Sequence, residues 1–443
     1  MMLWVLSGVL AVSSAGMLVA LAGAARQRRR FRLACSLSGL LPLDSTRASA
    51  GGAYPVTVCL RSSAGRGLST EIEMTGLPMS VGLLKEGIPA GRRPVQQHFS
   101  PDIEVGDPAF DACFRVTGDE RVALAALDEE TRERALDLCV HVDFTVIDGV
   151  LRARLPRPIL DDGSMRELVD ELRALADGLT AGATCTHERL VRNAFADPTP
   201  GVRLRNLDVL LGTSEPEVVD RVRSEALAAP YPALRVRAAG DAGAAGRPAL
   251  LSLVSNHRAR AGVRREALAQ LARSASAAVL TPVVRVLLAD RHPDLVELAA
   301  NAARERELVG ALAPLRARAL ACKTVKTPRA KRMVVALAEA LGALGPVGDR
   351  ETEEALLSLL QVADPMVRLS VIEALGWAGS ATAVTALGRC QESRKIQRAS
   401  RAAIRAIQSR VEGVPEGAFS LVGVEGEGHL SLAVTPGAIT ISP

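Results

Sequence analysis

Two aspartates four residues apart, Asp107 and Asp111, are the first side chains in this 443-residue chain whose types and spacing could do chemistry. They sit in Val105-Gly106-Asp107-Pro108-Ala109-Phe110-Asp111-Ala112-Cys113-Phe114-Arg115-Val116. A spacing of four puts both carboxylates on one helix face, where they could share a metal or a proton. The preferred reading is structural: Asp107-Pro108 makes a turn, and Phe110 and Phe114 anchor a short helix or strand in a core. Histidine offers little for acid–base work, with six in the chain. His187 precedes Glu188, His257 precedes Arg258 and His292 precedes Pro293. The seven cysteines are scattered, with no Cys-x-x-Cys. They read as small buried side chains in a reducing compartment, not as zinc ligands. Neither a Gly-x-x-x-x-Gly-Lys-Ser/Thr loop nor a Gly-x-Ser-x-Gly elbow is present. No catalytic residue, metal or cofactor is assigned.

The remaining candidates are cationic. Arg316, Arg318, Lys323, Lys326, Arg329, Lys331 and Arg332 fall in a window, Leu308 to Ala338, that holds no acid. Within it, Lys323, Lys326, Arg329, Lys331 and Arg332 surround one loop and the start of the next helix, and they form the candidate binding site. A second set is Arg389, Arg394, Lys395, Arg398, Arg401 and Arg405. The plain alternative is a solvated helix face. The functional alternative is an acidic partner: a protein, an anionic membrane leaflet or nucleic acid. Nucleic acid is the least favoured, because aromatic residues make up 2% of the chain and stacking platforms are scarce.

The elements that would carry these residues recur. Gly201-Val202-Arg203, Ala233-Leu234-Arg235, Gly262-Val263-Arg264, Asp294-Leu295-Val296, Arg329-Ala330-Lys331, Met366-Val367-Arg368 and Lys395-Ile396-Gln397 each open an Ala/Leu/Val-rich run. Their middle residues are 32, 29, 32, 35, 37 and 29 apart. Periods of this size mean stacked helix pairs, each apolar on more than one side and buried by its neighbours. The opening Asp364-Pro365-Met366-Val367-Arg368 and the close Glu373-Ala374-Leu375-Gly376 resemble HEAT repeats, including the shorter HEAT-like repeats of phycobilin lyases. The likeness covers residues 187–412, about seven units, and is weaker at Leu295-Val296 and Ile396-Gln397. It implies an α-solenoid whose Asp and Arg residues knit adjacent repeats together. HEAT-like deoxyhypusine hydroxylases hold two irons on several His-Glu dipeptides. This chain has one, His187-Glu188, so that metal site is not expected. The lyase resemblance brings no catalytic motif to match.

Upstream of the repeats the character changes. Residues 33–186 hold 23 Asp and Glu against 15 Lys and Arg, whereas residues 187–412 hold 34 Lys and Arg against 23 Asp and Glu. The alternating runs Val56–Leu60, Thr70–Met74 and Phe144–Leu155 read as strands, the last a hairpin turning at Asp148-Gly149. Helices are expected near Arg121–Leu127 and Glu130–Leu138, and after a capping box at Ser164-Met165-Arg166-Glu167. The Gly106-Asp107 and Phe110-Asp111 phrase resembles one found in uncharacterised bacterial membrane-anchored proteins, and no activity follows from it. Residues 1–25 carry no charge and are long enough to cross a bilayer, and Arg26, Arg28, Arg29, Arg30 and Arg32 follow at once. A transmembrane helix with the bulk of the chain in the cytoplasm is expected. The alternative is a signal peptide cut near Ala20-Leu21-Ala22, with export.

The expected fold class is therefore multi-domain. It comprises a transmembrane helix (1–25), a basic juxtamembrane linker (26–50), an α+β domain (51–182), a HEAT-like α-solenoid (187–412) and a β-meander tail (413–443). The expected function is a non-catalytic, membrane-anchored bacterial scaffold or adaptor that binds an acidic protein partner through the repeats. The alternatives are an enzyme or enzyme subunit of the HEAT-like lyase kind, and a nucleic-acid binder.

Overall fold

The computed structural model describes residues 22–63, 67–86, 101–213, 215–322, 325–410 and the strand pair at 421–422 and 429–430. The chain divides into two compact units, Met1–Ala226 and Leu227–Pro443.

The first unit opens with a helix, α1, over residues 22–37. Five guanidinium groups, Arg26, Arg28, Arg29, Arg30 and Arg32, are exposed on it, while Phe31, Ala34 and Cys35 turn inward. Its end is tied to the body where Arg166 donates to the Leu37 carbonyl at 2.8 Å and the Ser38 hydroxyl to the Asp162 carbonyl at 3.0 Å. Among the described residues no helix is long and apolar enough to cross a membrane. The expected N-terminal transmembrane helix is corrected accordingly: the described start of the chain is a charged helix with one buried edge, and guanidinium groups are costly within a bilayer. The fold class is a mostly helical chain with an N-terminal sheet and helical repeats. Residues 1–21, most of the expected span, lie outside the described residues.

Where a linker was expected, the chain forms the end of α1 and strands β1 (Leu41–Pro42) and β2 (Arg47–Ala50). Strands β3 (Val56–Ser63), β4 (Gly67–Thr75), β5 (Val81–Lys85), β6 (Phe114–Gly118), β7 (Asp143–Ile147) and β8 (Val150–Leu155) complete an antiparallel sheet in the order β1-β2-β3-β4-β8-β7-β5-β6. The turn between β7 and β8 has positive φ at Asp148 and Gly149, as an Asp-Gly hairpin requires. Period-two alternation sends Val58, Ile72, Leu151, Phe144 and Phe114 to the buried face. The opposite face carries cross-strand pairs, Arg61–Glu71 at 3.0 Å and Arg152–Glu73 at 3.2 Å.

Helices α2 (Pro108–Cys113), α3 (Glu120–Ala126), α4 (Glu129–His141) and α5 (Asp162–Thr184) belong to the same unit. Phe110 on α2 is buried and stacks on Phe114, 4.9 Å between centroids, which meets Phe144 at 5.5 Å. The cap of α5 is Asp161, accepting from the Ser164 amide at 2.8 Å, so the expected capping box sits one turn too late. The unit also takes in α6 (Thr186–Ala196), α7 (Pro200–Leu211) and most of α8 (Pro216–Ala228). The first helices of the repeat region thus fold with the sheet.

The second unit is a stack of helices. These are α9 (Pro232–Asp241), α10 (Arg247–Ser255), α11 (Ala261–Ser274), α12 (Ala277–Leu288), α13 (Pro293–Glu305), α14 (Leu312–Leu320), α15 (Pro328–Leu344), α16 (Arg350–Leu360), α17 (Pro365–Ala378), α18 (Ala383–Gly388) and α19 (Arg394–Arg410). The recurring phrases open alternate helices: α7 in the first unit, then α9, α11, α13, α15, α17 and α19. Within this unit each odd-numbered helix from α9 packs on the next odd-numbered one, and each even-numbered helix from α10 on the next even-numbered one, so the inner helices are buried by the repeats on either side. One continuous apolar core runs from Val236 to Ile407. Of the expected β-meander, β9 (Leu421–Val422) and β10 (His429–Leu430) are described and pair antiparallel. The rest of the tail lies outside the described residues.

Candidate functional site

Asp107 and Asp111 act on the backbone. Asp107 caps α2, accepting from the amides of Ala109 at 3.1 Å and Phe110 at 3.3 Å. Asp111 accepts from the amides of Val105 and Gly106, both at 3.0 Å. Burial pushes the Asp111 carboxyl up from the usual carboxylate range, and those two amides pull against it. The other Asp107 oxygen meets Arg132, which is 2% exposed, at 3.0 Å. Arg132 also donates to Asp197 at 2.9 and 3.2 Å and to the Leu127 carbonyl at 2.8 Å. Burial alone would lower this guanidinium, but the two carboxylates outweigh it and hold it charged. Beside this knot Gly106 lies so close to Gly201 that a Cβ at Gly106 would stand 2.5 Å from the Gly201 carbonyl carbon. The phrase is a joint between the sheet and α6–α7. Sequence reasoning missed Arg132 and Asp197, although Asp197-Pro198, an opening of the repeat type, was a visible signal.

Among the described residues, no group of three or more His, Cys, Asp or Glu could hold a metal ion. His187 faces the Arg221 guanidinium at 3.2 Å. A cleft of about 600 Å³ beside α4 and α5 is lined by Glu130, Glu133, Asp137, Glu167 and Glu171. Arg134 ties Glu130 and Glu171 at 3.0 and 3.1 Å.

The candidate cluster around α15 resolves into ion pairs between neighbouring repeats. Arg332 reaches Asp294 at 3.4 Å and Glu297 at 3.3 Å on α13, and Arg329 reaches Asp294 at 3.5 Å. Lys331 points the other way, to Asp364 at the start of α17, at 2.6 Å. Asp364 also caps α17 through the amides of Met366 and Val367. Lys331 first, and then those amides, hold its carboxyl below the usual range. Arg329 and Arg332 stay 71% and 56% exposed while paired. Lys326 is exposed and has no ion pair among the described residues. Lys323 lies outside them. The same knitting recurs where Arg264 on α11 meets Asp290 at 2.7 Å.

The second basic set is different. α19 carries no acid, and Arg394, Arg398, Arg401 and Arg405 fall at i, i+4, i+7 and i+11. A helix of 3.6 residues per turn places them in one stripe roughly 16 Å long. The stripe lies opposite the buried side chains Ile396, Ser400, Ala403 and Ile407. All four arginines are exposed, as are Lys395 and Arg389. Among the described residues none of these six is in an ion pair. Arg410 is spent on the fold, donating to the carbonyls of Gly376 at 2.5 Å and Gly379 at 2.9 Å.

The family model for HEAT repeats matches residues 334–408, from α15 through most of α19. The chain contains a HEAT-repeat domain. No curated protein matches the chain in sequence. Solved structures are similar to it, among them the following two. An engineered protein is 19% identical, with a TM-score of 0.29, covering 46% of this chain and 95% of its own. Human deoxyhypusine hydroxylase in complex with glycerol is 18% identical, with a TM-score of 0.23, covering 52% and 99%.

Proposed function

We propose that the chain is a non-catalytic scaffold whose HEAT repeats hold a protein partner by an acidic surface. The observation that supports this reading is the unpaired arginine stripe on α19. On α11 and α15 basic side chains meet acids of neighbouring repeats, whereas the four guanidinium groups that α19 presents in one line are in no ion pair among the described residues. A guanidinium fork donates two parallel N–H groups, which matches a carboxylate. With 2% aromatic residues the chain offers few platforms for bases to stack on, so a protein is favoured over single-stranded nucleic acid. Lys326, with Arg329 and Arg332, forms a second and partly neutralised basic edge.

The test is affinity capture with the full chain and with Arg398→Glu/Arg401→Glu/Arg405→Glu. A stoichiometric protein recovered with the wild type and lost with the variant supports the reading. Recovery of nucleic acid or a small molecule in its place, or equal recovery by both chains, overturns it.

A further inference from the structure

The start of the first unit carries exposed leucine beside unpaired positive charge. On α1, Arg26, Arg29, Arg30, Leu33 and Leu37 are exposed and fall at i, i+3, i+4, i+7 and i+11. That spacing lines them along the side of the helix away from Phe31, Ala34 and Cys35, which are buried. After α1 the chain turns at Gly39, buries Leu40 and exposes Leu41 and Leu43. Leu33, Leu37, Leu41 and Leu43 are 60%, 55%, 71% and 62% exposed. Apolar side chains standing singly on a surface are ordinary, whereas a run of them marks a contact surface. The charge around them is of one sign. Arg28 and Arg32 join Arg26, Arg29 and Arg30, and no Asp or Glu occurs before Asp44. Among the described residues none of these five arginines is in an ion pair. The face is held ready, since Arg166 and Ser38 fix the end of α1 to the body of the unit.

We propose that this face of α1, with Leu41 and Leu43, lies on the surface of an anionic phospholipid bilayer. The guanidinium groups donate to lipid phosphates, and the leucines enter the boundary between headgroups and acyl chains just beneath. The contact is with the surface, because no described helix is long and apolar enough to cross a membrane. Nucleic acid would match the arginines and leave the leucines in water, whereas an anionic bilayer matches both. This surface lies on a different helix from the α19 stripe and does not rest on the reading given for that stripe.

Full-length protein is floated with vesicles of phosphatidylcholine alone, and with vesicles in which phosphatidylglycerol replaces part of it. Binding at least about ten-fold stronger to the anionic vesicles, and weakened by salt, is expected. Arg28→Glu/Arg29→Glu/Arg30→Glu should remove that preference. Leu33→Ser/Leu37→Ser changes no charge and should still weaken binding about ten-fold, because two leucines no longer leave water. All five side chains are exposed, so both variants should melt as the wild type does. Residues 1–21 are identical in the three chains, so a drop in binding belongs to α1 itself. Equal binding to the two kinds of vesicle, a preference that survives reversal of the arginines, or binding unchanged in the leucine variant would overturn the proposal. Capture of a protein or nucleic acid by these arginines without any vesicle binding would overturn it too.

Discussion

Arg132 stays charged in the interior because four oxygens surround it: one from Asp107, two from Asp197 and the Leu127 carbonyl. A buried guanidinium without such acceptors would be intolerable. Arg132→Met should therefore leave two carboxylates uncompensated and cost about 3–5 kcal/mol in urea unfolding. Adding Asp107→Asn and Asp197→Asn should recover part of that loss, and failure to recover any would mean that packing, not charge, dominates the site. The approach of Gly106 to Gly201 is equally strict. Gly106 has φ +91°, so Gly106→Ala meets both a left-handed backbone and a carbonyl carbon, and should cost about 1–3 kcal/mol by the same assay. The structural role of Asp107 was legible because Asp-Pro is a local signal. Arg132 was not legible, because its partners lie 25 and 65 residues away and only the packed fold brings them together.

Local signals also decided which elements could be read in advance. The Asp148-Gly149 hairpin and the helices near 120 and 130 follow from turn chemistry and apolar spacing, which act within a few residues. The charge pairs between repeats act across about 35 residues, so the cluster at α15 read as free charge until neighbouring helices supplied Asp294, Glu297 and Asp364. These pairs give the repeats a pH dependence. The folded Asp364 carboxyl is held below its unfolded value, so its stabilisation is fully present above about pH 3.9 and is lost as pH falls through the depressed value. The stability gap between wild type and Asp364→Asn should be flat near neutrality and close under acid. A gap that persists unchanged at pH 2 would assign the effect to packing. The shared core makes a second prediction. Leu375 is fully buried on α17, and Leu375→Asp should cost several kcal/mol. Hydrogen exchange on the full chain should show protection falling in α15 and α19 as well as in α17. Loss confined to α17 and α18 would contradict a continuous core.

At the scale of the whole chain, the two compact units are Met1–Ala226 and Leu227–Pro443, while the charge changes sign between residues 33–186 and 187–412. The first repeat-like helices belong with the first unit, where Asp197, between α6 and α7, meets Arg132 and Gly201 lies against Gly106. Sequence periodicity marks where helices recur but not which unit they join. It also could not show which of two basic sets is already neutralised, and that distinction separates α19 from α15. The most direct measurement is a binding titration with a helical peptide carrying glutamates at i, i+4, i+7 and i+11, set against an isomer of the same composition with its glutamates spread around the helix. The in-register peptide should bind at least about ten-fold tighter than the isomer, and more tightly at low salt. Arg398→Glu/Arg401→Glu/Arg405→Glu should abolish that preference with melting unchanged. Lys326→Glu/Arg329→Glu/Arg332→Glu should retain the preference but melt lower, because its ion pairs become repulsions. Equal binding of the two peptides, or a preference that survives reversal of the α19 stripe, would contradict the account.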